Sequence, residues 1–297
     1  MAQMSIVEDT LRSQHEVWAE ICGRVSRIST RELTPEAPKR ILMFGLGSSH
    51  FAARLSAYAL TRDKTRQRIP VISCSSMSIG PEIIPMKGDW AMAFTHRGKS
   101  RATLKALEIA EQMGAFTIAI TAQGIEEVRN ARYVLQSSPL ERCEPHTAGV
   151  TGSICAATTL LLGQKAADEW DALRMLPDPN LDMYRDRAKM GPTMLLGEWE
   201  GEWLAREAAL KMMEMARLPV RVFGSEEFFH GPKMSLQEND SIWHIALPRD
   251  SRTPEIPAAL RVELAGGSPL AFLPPLVELQ WLSLAVALNR AVDPDGV

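Results

Sequence analysis

The sequence predicts an α/β protein made of two related domains, each a parallel sheet covered on both faces by helices. Three observations carry that expectation. Short apolar runs alternate with stretches of helical periodicity, glycine-bearing or basic turns follow two of those runs, and three landmarks recur at nearly one offset. Strands buried on both faces read as continuous apolar runs rather than alternating ones, which is the pattern here.

The elements follow in order. Residues 1–29 form an N-terminal segment, with Leu11, Val17, Trp18, Ile21, Val25 and Ile28 near helical spacing between Ile6 and Ile28. A loop holding Pro35 and Pro38 opens the first domain, residues 30–167. Its expected strands are Ile41–Phe44, Pro70–Cys74, Trp90–Phe94, Phe116–Ile120 and Tyr133–Leu135, and its expected helices are Phe51–Leu60, Arg101–Met113 and Val150–Ala167. Residues 168–190, rich in Asp, Pro and Arg, read as a linker, and 191–297 as a second, shortened domain. There Met194-Leu195-Leu196-Gly197 repeats Leu42-Met43-Phe44-Gly45, Pro219-Val220-Arg221-Val222 repeats Pro70-Val71-Ile72-Ser73, and Asp240-Ser241-Ile242-Trp243 repeats Asp89-Trp90-Ala91-Met92. The separations are 152, 149 and 151 residues, an agreement that argues for duplication. Gly266-Gly267-Ser268 runs almost directly into Pro269, where a full second copy would need another strand or two.

Composition narrows the function. The chain has 297 residues, 45% of them hydrophobic and 23% charged, with a formal net charge of -3. No Lys or Arg run creates a field for nucleic acid, so an anionic ligand must be held by local donors. The N-terminus has no apolar signal core, and Pro269–Leu288, with its prolines, Glu278 and Gln280, is a poor membrane span. Cys22, Cys74, Cys143 and Cys155 have neither CxxC nor metal-ligand spacing, so reduced thiols in a cytoplasmic protein are expected.

Four stretches carry chemistry. Gly45-Leu46-Gly47-Ser48-Ser49-His50 places glycines and two hydroxyls between a strand and a helix, where backbone N–H groups and the helix dipole attract an anion. A capped turn fits these residues as well as a phosphate loop does. His50 stands where a dinucleotide fingerprint needs glycine, which disfavours a nucleotide. Thr95-His96-Arg97-Gly98-Lys99-Ser100 is better furnished with donors, and two such turns at adjacent strand ends of one sheet can face one ligand. Glu207, Lys211 and Glu214 share a helix face, an arrangement most often found as a solvated ladder. In Glu226-Glu227-Phe228-Phe229-His230-Gly231-Pro232, two aromatics and a rigid Gly-Pro turn flank a histidine, which is expected to be fixed beside apolar cover.

Ala209-Leu210-Lys211 followed by Glu214, and then His230-Gly231-Pro232, stand at the spacing of a known family. From about Pro38 onward the chain resembles the tandem sugar isomerase (SIS) proteins: the isomerase half of glucosamine-6-phosphate synthase, ketose/aldose isomerases and aminosugar-phosphate deaminases. The resemblance implies two flavodoxin-like three-layer sandwiches and an enediol or enolamine reaction on a phosphorylated hexose or aminosugar, without metal or other cofactor. It implies that Glu214 moves a proton between C1 and C2, that Lys211 accompanies it, and that His230 opens the sugar ring from the neighbouring subunit of a homodimer. Gly47, Ser48 and Ser49 fit the first phosphosugar loop, Thr95, His96, Arg97, Gly98 and Ser100 the second, and Gly152-Ser153 a third. One base serving two adjacent carbons, with donors for the enediolate and distant phosphate contacts for orientation, suits an aldose–ketose shift.

The chain also departs from the family. Thr95 and Arg97 replace the serines usual in the second loop, which makes it more cationic. With Ala2 at the second position and Val297 at the end, neither glutamine hydrolysis nor the synthase's lysine-bearing tail is expected. Isomerase and deaminase remain open, as does a sugar-phosphate sensor without catalysis.

Overall fold

The computed structural model describes residues 4–34, 36–63, 69–174, 180–264 and 267–295. Ala2, Pro35, Gly266, Val297 and residues 175–179 of the expected linker lie outside the described residues. The chain divides into two compact units, one of residues 13–142 and 148–176, the other of residues 1–12, 143–147 and 177–297.

The first of these units contains most of α1 (Ile6–Val25), then α2 (Thr30–Leu33), β1 (Arg40–Gly45), α3 (Ser48–Arg62), β2 (Val71–Ser75), β3 (Asp89–Phe94), α4 (Arg101–Gln112), β4 (Phe116–Thr121), β5 (Tyr133–Gln136), α5 (Ala148–Leu162) and α6 (Gln164–Arg174). Its five strands are all parallel, in the order β2-β1-β3-β4-β5. Leu42, Phe44, Ala91, Ala93, Leu107 and Ala119 form its core, as the continuous apolar runs required. Trp18 of α1 is buried and donates its indole N–H to Thr151 of α5 at 3.0 Å.

The expected helix Val150–Ala167 is two helices, because Gly163 takes φ 65° and turns the chain between α5 and α6. The expected helix Phe51–Leu60 begins earlier, at Ser48, so the hydroxyl-bearing residues after Gly47 are themselves helical.

The second unit comprises α7 (Leu181–Ala188), β6 (Met194–Gly197), α8 (Glu200–Ala216), β7 (Arg221–Gly224), α9 (Ser225–Phe229), β8 (Ile242–Ala246), β9 (Leu260–Glu263) and α10 (Leu273–Asn289). Its parallel sheet runs β7-β6-β8-β9, the strand order of the first sheet without its last strand. Met194, Leu196, Phe228, Ile242 and Ile256 fill one side of this sheet, and α10 packs against α7 and α8. The stretch expected as linker is partly helical. α6 runs to Arg174, and Asn180 caps α7 by accepting N–H groups of Asp182 and Met183. β9 escaped the sequence reading because it is short and alternates, with Leu260 and Val262 buried and Arg261 and Glu263 exposed. No described helix is long and apolar enough to cross a membrane.

Candidate functional site

Open parallel sheets bind ligands beyond the carboxyl ends of their strands, where the strand order reverses. In the first unit that point lies between β1 and β3. Gly45 closes β1, and a Cβ there would fall 2.5 Å from the Ser49 carbonyl carbon, so only glycine lets α3 start this close to the strand. Gly47 then takes φ 54° and ψ −133°. This puts Ser48 and Ser49 in the first turn of a 15-residue helix, at its positive end.

The second turn follows β3. The Thr95 N–H donates to the Ile120 carbonyl at 2.9 Å, fixing the start of the turn. Gly98 has φ 64°, and a Cβ would lie 3.1 Å from Val128. Arg97 and Lys99 are exposed. Ser100 Oγ accepts from Thr103 Oγ1 at 3.1 Å, and Thr103 Oγ1 is 3.0 Å from Ser76 Oγ at the end of β2. Thus hydrogen bonds among hydroxyls and backbone groups tie the turn after β3 to the ends of β2 and β4, with Ser76 and Thr103 buried. The part of Ser76 and Thr103 in holding this turn was missed in the sequence, although the Ser75-Ser76 pair closing a strand was the available signal.

His96 has a different task from its neighbours. Its ring is buried, and Nε2 accepts the Glu141 N–H at 3.1 Å. The Glu141 carboxylate in turn accepts the N–H groups of Ala148 (3.2 Å) and Gly149 (2.7 Å), capping α5. Burial, reinforced by the Arg97 charge, lowers His96 to about 4, so the neutral ring anchors the turn. Sequence reasoning grouped His96 with the substrate contacts; the structure engages its ring internally. Glu141 carried no local signal, since its helix begins seven residues later.

Gly152 and Ser153 sit inside α5 rather than in a loop ahead of it. A Cβ on Gly152 would lie 3.0 Å from Ser138 and 3.2 Å from Ile21, and Ser153 Oγ donates to the Gly149 carbonyl at 2.6 Å. Both residues serve helix packing.

In the second unit, α8 overturns the solvated-ladder reading. Lys211 is 1% exposed, 3.7 Å from the equally buried Glu207 and ion-paired with Glu214. Leu204, Ala208 and Met212 are buried on the same helix. Only Glu214 of the three reaches solvent, so a surface carboxylate is backed by a buried ammonium. Such a group can accept and return a proton at a fixed position.

His230 ends α9 with its side chain 74% exposed, not under apolar cover. Its Nε2 is 3.2 Å from Glu226 Oε1, and Arg252 grips the Glu226 carboxylate through Nε (2.5 Å) and Nη2 (2.8 Å). This grip, with help from His230, holds Glu226 at about 2.

The turn after β6 has the same backbone design as the turn after β1. A Cβ on Gly197 would fall 2.5 Å from the Gly201 carbonyl carbon, and the next-but-one residue takes φ 53° and ψ −121°. That residue is Trp199, 58% exposed, with the Arg249 guanidinium 5.3 Å over its ring. Glu198 and Glu200 flank it. Burial, then the charges of Asp250, Glu202 and Glu226, raises Glu198 despite a hydrogen bond from the Glu226 N–H.

Together the parallel sheets flanked by helices are those of a sugar isomerase (SIS) α/β fold. The C-terminal domain of glucosamine-fructose-6-phosphate aminotransferase from Francisella tularensis superposes with a TM-score of 0.79 at 17% identity, over 100% of this chain and 99% of that one. Tagatose-6-phosphate ketose/aldose isomerase from Escherichia coli gives 0.75 at 17% identity, over 98% and 95%. Among curated proteins the chain is 24% identical over 278 residues to glutamine–fructose-6-phosphate aminotransferase (isomerizing) of Corynebacterium diphtheriae. That match covers 82% of this chain but 42% of the relative, so the chain spans less than half the relative's length. No family model matches.

Proposed function

We propose that this chain is a phosphosugar isomerase built from two tandem SIS domains, acting on a hexose or aminosugar phosphate by enediol or enolamine proton transfer. The observation that carries this reading is the Lys211–Glu214 pair: an ammonium buried at 1% exposure is costly to hold, and here it steadies a carboxylate that reaches solvent. Glu214 is the base that shuttles the proton between C1 and C2, and Lys211 fixes its carboxylate. His230 protonates the ring oxygen as the sugar opens, and its exposure suits action in a homodimer. Ser48, Ser49, Thr95, Arg97, Gly98 and Ser100 recognise the phosphate. None of these steps calls on a metal. Arg97 and Lys99 add two cations to the phosphate cradle, which favours a substrate more anionic than a simple hexose phosphate. The SIS fold of the Francisella and Escherichia structures and the similarity to an isomerizing aminotransferase support this reading.

The test is exchange of the C2 proton of aldose and aminosugar 6-phosphates, or of a C1 proton of ketose 6-phosphates, in deuterated water, followed by NMR, with ammonia assayed in parallel. The expected result is exchange with at least one of them, reduced about 10²–10⁴-fold by Glu214→Gln. Ammonia release selects the deaminase branch. Binding without exchange across the panel overturns the isomerase reading in favour of a sugar-phosphate sensor, and unchanged exchange in Glu214→Gln removes the base assignment.

A further inference from the structure

The four cysteines are scattered in the sequence, but folding brings two of them together within the first unit. Cys22 lies on α1 and Cys155 on α5, and their sulfurs are 3.5 Å apart. A disulfide bond is about 2.05 Å long, so the sulfurs stand one short approach from bonding. The two thiols are unlike in access. Cys155 is fully buried and donates toward the Trp18 carbonyl at 3.8 Å. Cys22 is part-exposed and lines a cavity of about 250 Å³ between α1 and α6, walled also by Trp18, Gly23, Gln164 and Trp170. A small oxidant therefore has a route to Cys22 and none to Cys155 except through it. Cys74 and Cys143 are buried.

We propose that Cys22 is a hydroperoxide-reactive thiol and that Cys155 resolves it, forming a disulfide that ties α1 to α5. In the first step the Cys22 thiolate attacks the outer oxygen of the hydroperoxide. The O–O bond breaks, water or an alcohol leaves after protonation, and Cys22 becomes a sulfenic acid. In the second step Cys155 sulfur attacks Cys22 sulfur. The Cys155 proton leaves with the sulfenic hydroxyl as water, and the S–S bond forms. Two thiols lose two electrons and the hydroperoxide gains them. Burial pushes the Cys155 thiol well above its ordinary value, so it keeps its proton until that proton leaves with the sulfenic hydroxyl.

The experiment uses the full chain with hydrogen peroxide and with the bulkier cumene hydroperoxide, followed by peptide mass spectrometry without reductant. The expected product is a Cys22–Cys155 cross-linked peptide, formed faster with hydrogen peroxide because the cavity is small, and reversed by dithiothreitol. Cys155→Ser should leave a sulfenic acid that dimedone traps on Cys22, and Cys22→Ser should give neither product. The wild-type map decides the matter even if a variant folds poorly. Sulfinic acid on Cys22 without the cross-link, cross-links through Cys74 or Cys143, or four thiols unchanged by hydrogen peroxide would each overturn the proposal.

Discussion

At the residue scale, charge burial makes the sharpest predictions. Lys211→Ala removes the cation that the buried Glu207 faces, and should destabilise the protein by about 3–5 kcal/mol in urea unfolding. Lys211→Met paired with Glu207→Gln should recover most of that loss, since a buried pair replaced by apolar or neutral groups of similar size is often tolerated. His96 sets a pH window. Its folded value of about 4 lies below the ordinary 6.5, so between these limits the unfolded chain binds the extra proton. This contribution to stability should therefore decline as pH falls from 6.5 to 4, by up to about 1.4 kcal/mol per pH unit, and His96→Gln should flatten the slope. Glu226 and Asp240, each held at about 2, act further down. The Arg252 grip on Glu226, and the Thr193 hydroxyl, Gln237 N–H and Arg221 bonds to Asp240, stabilise fully above the ordinary carboxylate range and are lost as pH falls through 2. None of these groups could be weighed from spacing alone. A Glu–Lys–Glu ladder looks the same in sequence whether α8 turns it to solvent or to the core, and the Glu141 cap on α5 depends on a loop with no periodicity.

At the element scale, the sequence marked where most strands and helices fall, because buried parallel strands announce themselves as apolar runs. The lapses occurred at ends and breaks. Gly163 divided one expected helix, Ser48 opened α3 earlier than the apolar spacing indicated, and β9 was too short for its alternation to stand out. These are local backbone decisions that apolar periodicity does not encode. They also yield a prediction. Gly47 holds φ 54°, a region that disfavours side chains, so Gly47→Ala should lower stability by about 1–3 kcal/mol in thermal or urea unfolding. Trp199 accepts nearly the same dihedrals in the turn after β6, where Arg249 covers its ring. Trp199→Gly relieves that strain while losing the stacking and adding unfolded-state freedom, so it should change stability by less than about 1 kcal/mol. Equal losses at the two positions would mean that the turns are not built alike.

At the scale of the whole molecule, the recurrence at offsets of 152, 149 and 151 residues anticipated two parallel sheets, and the shared strand order matches it. Among the described residues the second sheet has four strands against five in the first. The pairings that link remote segments were not legible, Cys22 with Cys155 and His96 with Glu141 among them. The backbone turn described after β1 and again after β6 has one more consequence. The turn after β1 presents the hydroxyl-bearing Ser48 and Ser49; the turn after β6 presents the exposed Trp199 with Arg249 over its ring, while Glu200 is buried and ion-paired with that arginine. An indole stands where the first turn offers hydroxyls, and the Arg249 charge is already taken up by Glu200, so the turn after β1 is the better fitted of the two to receive a phosphoryl group. Isothermal titration with a bound sugar phosphate should therefore return a stoichiometry of one per polypeptide, the turn after β6 holding an indole in place of a ligand.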